Sequence, residues 1–388
     1  MKKTNIILGI LAIGLVATAC SKSEIVDPET TIPEGTADIT IVESDANFAD
    51  YKSNWCNYAA AVSALLEKDA QTLYKAWKEG VNGGEAYQTT FKQAQGAYTS
   101  ANSCIEQIID GCIDIANEVG ENKIGDPRDK WENGKYTEAV YAVESWYSYH
   151  SIQDYSNNIR SIHNAFNCTY NSAAGAHSIA AYLKANGQAD FAQQVNAAIA
   201  SAITCIEGMA APFRNHIGNP SVITAINACT ELKNILRTLK AKVEGFEDEA
   251  LLEAIVADYV DIVVLPTYKN LADANSALHT AVRALATSPS NTNFELAAAA
   301  WLAAREPWEM SEAFLFGPVD ELGLDPNMDS WPLDQDAIKN VLASGDFSSL
   351  GWDSDDKAED VEAAQNIRGF HTLEFLLFKN GQPRTIAP

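Results

Sequence analysis

The sequence predicts an all-α protein made of two four-helix-bundle-like domains. Apolar residues recur at three- and four-residue spacing along most of the 388-residue chain, alanine is abundant, and alternating runs of β-branched residues are scarce. Several predicted helices are about 20 residues or longer and are joined by short turns, as in helix bundles. The length suggests two such bundles, which we place at 48–245 and 246–388.

The predicted helices end where turn-forming residues interrupt the apolar periodicity. These breaks fall at Gly83-Gly84, Gly125-Asp126-Pro127, Gly218-Asn219-Pro220, Ser288-Pro289-Ser290 and Gly317-Pro318. The predicted helices are 48–68, 86–119, 136–166, 173–186, 188–210, 220–244, 247–286, 292–313, 334–343 and 358–379. The acidic stretch from Gly245 to Glu249 is the predicted domain boundary.

The chain opens with the features of a lipoprotein signal peptide, which we place at 1–19. Two lysines precede an apolar run, and small residues lead to Cys20, the cysteine that is acylated in this class of exported protein. The apolar run is shorter than the about 20 residues that a membrane-spanning helix needs. We therefore predict a lipid anchor at Cys20, a flexible tether over 20–47, and a place in the bacterial cell envelope, at the outer membrane with a periplasmic or surface face.

The composition is strongly acidic, with 27 Lys and Arg against 52 Asp and Glu and a formal net charge of −25. This balance excludes nucleic acid as a partner, because phosphate binding needs basic patches, and the sequence has none. A negative field concentrates cations near the protein. The solubility of an exported protein explains the same charge without a ligand.

Apart from Cys20, the cysteines permit two interpretations. An even number in an exported protein is compatible with disulfides of unknown connectivity. Helical cores also hold buried free thiols. The residues concerned are Cys56, Cys104, Cys112, Cys168, Cys205 and Cys229.

A Gly-x-His-x-x-Glu motif, Gly369 to Glu374, lies in an apolar and aromatic helix near the end of the chain. His371 and Glu374 are three residues apart, so they share one face of that helix. A buried carboxylate needs a proton, a cation or a metal. A structural ion pair and a metal or ligand site both satisfy this need. The motif lacks the second histidine of the His-Glu-x-x-His zinc motif.

A second polar group interrupts a helix of Ala, Leu and Trp at Arg305, just before Pro307. Proline removes one helical amide and bends the helix. An arginine in such a helix needs an acidic partner, and we predict Glu312, seven residues on, in that role. A structural ion pair and a binding role both fit.

A third group is the stripe of Asp154, Asn157 and Asn158, spaced i, i+3, i+4. An exposed polar face is its simplest interpretation, and a binding role is the alternative.

Three stretches together resemble the imelysin-like family of exported bacterial proteins. They are the Gly-x-His-x-x-Glu signature followed by Phe-Leu-Leu, the block AREPWEMSEAFLFGPVDE…SWPLD from Ala304 to Asp334, and ANEVGENKIGDPRD with ESWYSYHSIQDYSNNI. The resemblance covers the chain from about residue 48. In the family the signature precedes the Glu-Val-Gly block, whereas here it comes last. We therefore predict a circular permutation, in which 48–245 resembles the family's second domain and 246–388 its first.

The resemblance implies two similar four-helix bundles with a functional site between them. The ligand-binding residues that it implies are His371, Glu374, Arg305, Glu312, Asp154 and Asn158. It implies His371 and Glu374 as metal ligands and a close-packing role for Gly369.

Three functions follow as hypotheses. The first, to which the resemblance points, is a lipoprotein that binds a metal or small ligand between the domains in iron uptake or homeostasis. A divalent metal or iron is then the cofactor, and iron-uptake proteins are the partners. The second is a zinc-dependent metallopeptidase of the His-x-x-Glu type, although such a site wants three protein ligands. The third is a structural or partner-binding surface lipoprotein whose buried polar residues hold the bundles together.

Overall fold

The protein is described by a computed structural model that covers residues 46–353 and 355–387. The predicted signal peptide, the lipidation site Cys20 and nearly all of the predicted tether lie outside these residues. None of the described helices is both long enough and apolar enough to cross a membrane.

One bundle is formed by four long helices, which are Ala101–Asn117, Ser151–Asn167, Ala189–Glu207 and Pro220–Val243. Neighbouring helices pack around a core of buried aliphatic side chains. Local sequence fixes where they begin. Ser100 and Ser103 form a capping box. Asn219 caps the last helix, and the proline that follows it lacks the amide that a first turn leaves unpaired.

The second bundle contains the first long helix of the chain and the last. Its members are Ser53–Lys78, Leu265–Thr287, Asn291–Glu309 and Gly369–Leu377. Helix Ser53–Lys78 packs against both Leu265–Thr287 and Gly369–Leu377. The predicted all-α fold with two bundles is confirmed. The predicted bundle 48–245 does not hold all of its helices together, because Ser53–Lys78 packs in the second bundle. The boundary at 245 and the circular permutation stay predictions.

Short elements connect the bundle helices. The α-helices among them are Phe48–Tyr51, Tyr87–Lys92, Gly125–Glu132, Tyr136–Tyr141, Ile179–Ala185, Glu249–Asp258, Pro318–Glu321, Leu324–Asp329, Gln335–Ser344 and Ala358–Gln365. The 3-10 helices are Phe213–Asn215, Glu312–Phe314 and Ser348–Leu350. Two antiparallel hairpins each follow a bundle helix closely, Thr169–Tyr170 with Ala173–Ala174, and Phe378–Lys379 with Gln382–Pro383.

π-helical turns lie at the end of one predicted helix, 86–119, and inside another, 247–286. The turn Glu118–Lys123 follows helix Ala101–Asn117, and the turn Tyr259–Val264 lies inside the predicted helix 247–286. Pro266 follows the second turn directly, and a proline without an amide favours such a local widening. π-turns occur often at functional sites, and the first one contributes Glu118 and Lys123 to the cavity described below.

The predicted helix 136–166 is broken in the structure. Its first part ends at Tyr141, and the next begins at Ser151. Ser145 and Tyr149 between them have positive φ values of 51° and 62°, which a helix does not tolerate. The break places the side chains of 144–148 between the bundles, where the site lies.

Five cysteines are free and buried, so the buried-thiol interpretation holds for them. They are Cys56, Cys104, Cys112, Cys168 and Cys229.

The two ends of the described chain lie together. The Arg384 guanidinium donates from Nη1 to the Ala46 carbonyl oxygen at 3.1 Å. Lys379 Nζ donates to Asn47 Oδ1 at 3.2 Å. The closing hairpin therefore holds the start of the first helical segment.

Candidate functional site

The candidate site lies where the two bundles meet. Helix Ser151–Asn167 of one bundle packs against helix Asn291–Glu309 of the other, and helix Gly369–Leu377 packs beside the latter. Gly369 begins its helix with φ +82°, and a Cβ atom there would lie 2.4 Å from the Met328 carbonyl oxygen. Only glycine allows this approach. The close packing implied for Gly369 thus brings the motif helix against the helix that carries Asp329.

Arg305 is the centre of the charge network and is fully buried. Its Nη2 lies 2.6 Å from Glu309 Oε1 and 3.3 Å from Glu144 Oε1. Its Nε lies 3.5 Å from Asp154 Oδ2, and Nη1 pairs with Asp329. One guanidinium therefore neutralises carboxylates from both bundles.

The predicted pairing of Arg305 with Glu312 is wrong. Glu312 Oε1 instead lies 3.4 Å from Lys123 Nζ. The α-helix ends at Glu309, and the 3-10 turn that begins at Glu312 breaks the periodicity on which the prediction relied. Glu312 nevertheless lies at the site, because Lys123 also faces Glu144 Oε2 at 3.3 Å.

His371 has carboxylates at both ring nitrogens. Nδ1 lies 3.3 Å from Glu374 Oε2, while Nε2 lies 3.1 Å from Asp329 Oδ1 and 3.3 Å from Glu144 Oε1. Burial and Arg305 disfavour a charged ring, but Asp329 and Glu144 outweigh them and hold the pKa of His371 well above its usual range. The ring of Trp331 packs edge to face on the imidazole at 4.8 Å.

Glu374 holds the histidine rather than facing the cavity. Its Oε1 accepts hydrogen bonds from the Ser148 amide at 2.8 Å and from Ser148 Oγ at 2.7 Å. Its other oxygen faces His371 Nδ1. A carboxylate held in this way fixes the orientation of the ring and leaves Nε2 for a partner.

The Asp154 and Asn158 side chains are buried, so the exposed-face interpretation is wrong for both. Asp154 Oδ2 accepts a hydrogen bond from Ser145 Oγ at 2.5 Å and faces Arg305. Asn158 donates from Nδ2 to the Glu309 carbonyl oxygen at 3.3 Å and to its carboxylate. The second bundle covers this stripe, which a single helix could not reveal.

All six predicted site residues therefore lie in or beside one network, but the residues that best suit a metal include two that we did not predict. Ligand atoms of Glu144, Asp329 and His371 all lie within 4.8 Å of one another. Glu144 occurs in ESWYSYH, inside the predicted helix 136–166 that the structure breaks, and Asp329 occurs in MDSWPLD, between predicted helices. The other unpredicted members are Lys123 and Glu309. Glu309 lies in the family-like block that begins at Ala304 and is spaced four residues from Arg305.

Glu144 and Asp329 of this group line a cavity of about 660 Å³, whereas His371 is fully buried and is not part of its lining. Glu144, Asp329 and Glu312 line its wall together with Lys123, and Trp331 forms part of the same wall. Volumes of this size are typical of small-molecule sites. Lys123 is the main cause that lowers the pKa of Glu144 to about 2, against the opposing effect of burial.

Glu309 gives the site a pH dependence of defined sign. Burial raises the pKa of its carboxyl from 4.5 to about 8, although Arg305 opposes the shift. The folded state therefore holds this proton more tightly than the unfolded state, and stability falls as pH rises between those values.

We expect urea melts to show that the free energy of unfolding falls as pH rises. We expect this fall to be smaller in Glu309→Gln, by on the order of 2 kcal/mol. The matched control is Glu306→Gln, an exposed glutamate on the same helix, which should leave the slope unchanged. Equal slopes for Glu309→Gln and wild type would contradict the assignment.

Comparison with known proteins agrees with this architecture. The family model described as Imelysin matches residues 36–239 and 264–387. The crystal structure of an imelysin peptidase from Bacteroides ovatus is 49% identical, with a TM-score of 0.86 over 88% of this chain and 99% of that one. Iron-regulated protein A of Synechococcus elongatus is 31% identical over 168 residues, which are 43% of this chain and only 39% of that protein. The family match spans most of the sequence, and this chain belongs to the imelysin family.

Proposed function

We propose that the protein binds a metal ion at Glu144, Asp329 and His371 and serves iron uptake or homeostasis in the cell envelope. The observation that carries the proposal is the approach of these three ligand atoms within 4.8 Å, with Glu144 and Asp329 on the wall of a cavity. One imidazole and two carboxylates suit several divalent metals and iron without selecting one.

The surroundings fit a metal in this position. His371 Nε2 faces both carboxylates, so a metal ion there would replace the ring proton that they now share. Glu374 would keep the ring oriented from the opposite side, as a positioning residue. Arg305 Nη2 lies 3.5 Å from Nε2, but its charge is balanced by the Asp329 and Glu144 carboxylates.

Two further observations support the iron and envelope parts of the proposal. A relative that matches part of the chain bears the name iron-regulated protein A. The N-terminal sequence has the pattern of a lipoprotein signal peptide over 1–19, followed by the predicted lipidation site Cys20. The lipid-anchored protein would bind its metal at the outer membrane and pass it to uptake proteins.

Calorimetric titration with ferrous, ferric and zinc ions tests the proposal. We expect His371→Ala to weaken binding of the preferred ion by about a hundredfold or more, because it removes a direct ligand. His163→Ala, which changes an exposed histidine, is the matched control and should bind as wild type does. If the wild-type protein bound none of the three ions, the proposal would be wrong.

The peptidase hypothesis requires a base that can take a proton from a metal-bound water. Glu374, the glutamate of the motif, already accepts hydrogen bonds from Ser148 and faces His371 Nδ1. We therefore rank binding above peptide hydrolysis. Cleavage of a peptide library that depends on added zinc and on Glu374 would reverse this order.

A further inference from the structure

Lys123 places an ammonium group between two acids of the site. Its side chain is only 9% exposed, and Nζ lies 3.3 Å from Glu144 Oε2 and 3.4 Å from Glu312 Oε1. Glu144 is one of the proposed metal ligands. The desolvation of an ammonium group is unfavourable, and an ammonium beside a metal ligand also opposes the binding of a metal ion. Lys123 therefore has a direct influence on the metal site.

The backbone that carries Lys123 is held by close packing. Lys123 ends the π-helical turn Glu118–Lys123. A Cβ atom at Gly120 in this turn would lie 2.8 Å from Cys229 Cβ, so only glycine allows the turn to pack this closely against helix Pro220–Val243. The lysine side chain thus begins at a fixed point and extends to the cavity wall, which it helps to line.

The two oxygens of Glu144 face different cations. Oε1 lies 3.3 Å from His371 Nε2 and 3.3 Å from Arg305 Nη2, and it is the oxygen turned toward the proposed metal position. Oε2 faces Lys123 Nζ. The lysine therefore leaves one oxygen of this ligand for a metal ion. It also places a positive charge close to the ion, and charges a few ångströms apart repel strongly in a poorly solvated site.

We infer that Lys123 sets the affinity of the metal site, as a positioning residue that acts through Glu144. Its ammonium competes with the metal for this carboxylate, so the bound ion is held loosely enough to be released. When no metal is bound, the same ammonium compensates the charges of Glu144 and Glu312. The inference deepens the proposed function and rests on it, because it concerns the affinity of the triad Glu144, Asp329 and His371.

Removal of the ammonium should tighten metal binding. We expect Lys123→Met to bind zinc and ferrous ions at least about tenfold more tightly than the wild type in calorimetric titrations, because a positive charge beside the metal is lost. The gain should come mainly from slower release, which stopped-flow mixing of the zinc-loaded protein with excess EDTA measures. Lys123→Gln, also uncharged, should show the same gain and replaces Lys123→Met if that variant does not fold. Lys123→Arg keeps the charge and should bind as the wild type does.

The matched control is Lys130→Met, which removes the other lysine of the cavity lining. Lys130 pairs with Asp126 and its side chain is 30% exposed, so water and salt screen its charge. This variant should leave the affinity within about twofold of the wild type. The inference would be overturned by an equal gain in Lys130→Met or in Lys123→Arg. A purely structural lysine would overturn it too, because the uncharged variants would then melt at a lower temperature without binding metal more tightly.

Failure of the inference and failure of the proposed function give different results. If the wild type binds metal and Lys123→Met binds it with the same or lower affinity, the inference is wrong and the proposed function stands. If the wild type binds neither ion but Lys123→Met binds one of them, the inference stands and the proposed function is wrong. If no variant binds either ion, both are wrong.

Discussion

Replacing Arg305 with methionine should lower the free energy of unfolding by about 3–5 kcal/mol, the usual cost of leaving buried charges without their partner. The guanidinium is fully buried and faces Glu144, Asp154 and Glu309, with Asp329 paired to Nη1. Methionine keeps much of the volume and removes the charge. The loss should grow as pH rises, because the remaining carboxyls then ionise without compensation.

Arg160→Met provides the comparison for urea melts of this variant. Arg160 pairs with Glu207 at 2.7 Å, but both side chains are more than one third exposed. Such a surface pair contributes about 0–1 kcal/mol. If Arg305→Met cost no more than Arg160→Met, the buried network would not hold the bundles together.

Glu374→Ala should weaken metal binding by about 10- to 100-fold, the range found for residues that orient a metal ligand. The truncation frees His371 Nδ1 and leaves the Ser148 amide without its 2.8 Å acceptor. An unsatisfied buried donor costs about 1–3 kcal/mol of stability, so the melting temperature should fall as well.

Calorimetry and thermal melts of Glu374→Ala, Glu374→Gln and His371→Ala separate the two roles of Glu374. As a positioning residue it should be partly replaced by glutamine, whose oxygen can still accept from Ser148. If Glu374 is a direct ligand, which the family resemblance implies, Glu374→Ala should lose as much affinity as His371→Ala. Glu374→Gln should then not restore binding. Unchanged affinity in Glu374→Ala would contradict both roles.

The bundle helices were predictable because each needs only a local apolar stripe and a turn that ends it, as at Gly218-Asn219-Pro220. The start at Ser100 was missed, because the predicted helix 86–119 ran through it. Arg305, His371 and Glu374 were also visible, because charged residues in apolar helices require partners. The residues that pair with them could not be identified from the sequence. Glu144 lies in a turn made by left-handed Ser145 and Tyr149, a conformation that no local propensity favours.

The burial of Asp154 and Asn158 could not be predicted from the sequence either. Their spacing gives a polar stripe, and a stripe on one helix looks identical whether water or another bundle covers it. Only the contact with helix Asn291–Glu309 makes the stripe interior. Asp329 likewise reaches the site through a close approach at Gly369, which depends on long-range packing.

The contact between Arg384 and Ala46 closes the described chain into a topological loop of helices. The two ends of the described chain lie next to each other. The order of the stretches before and after Gly245 along the sequence therefore depends only on where the chain is interrupted. Opening it near Gly245 and joining the present ends would reverse the order of the halves without disturbing the buried charge network. A fold of this kind tolerates the rearrangement that we propose for this member of its family, because packing depends on neighbours in space.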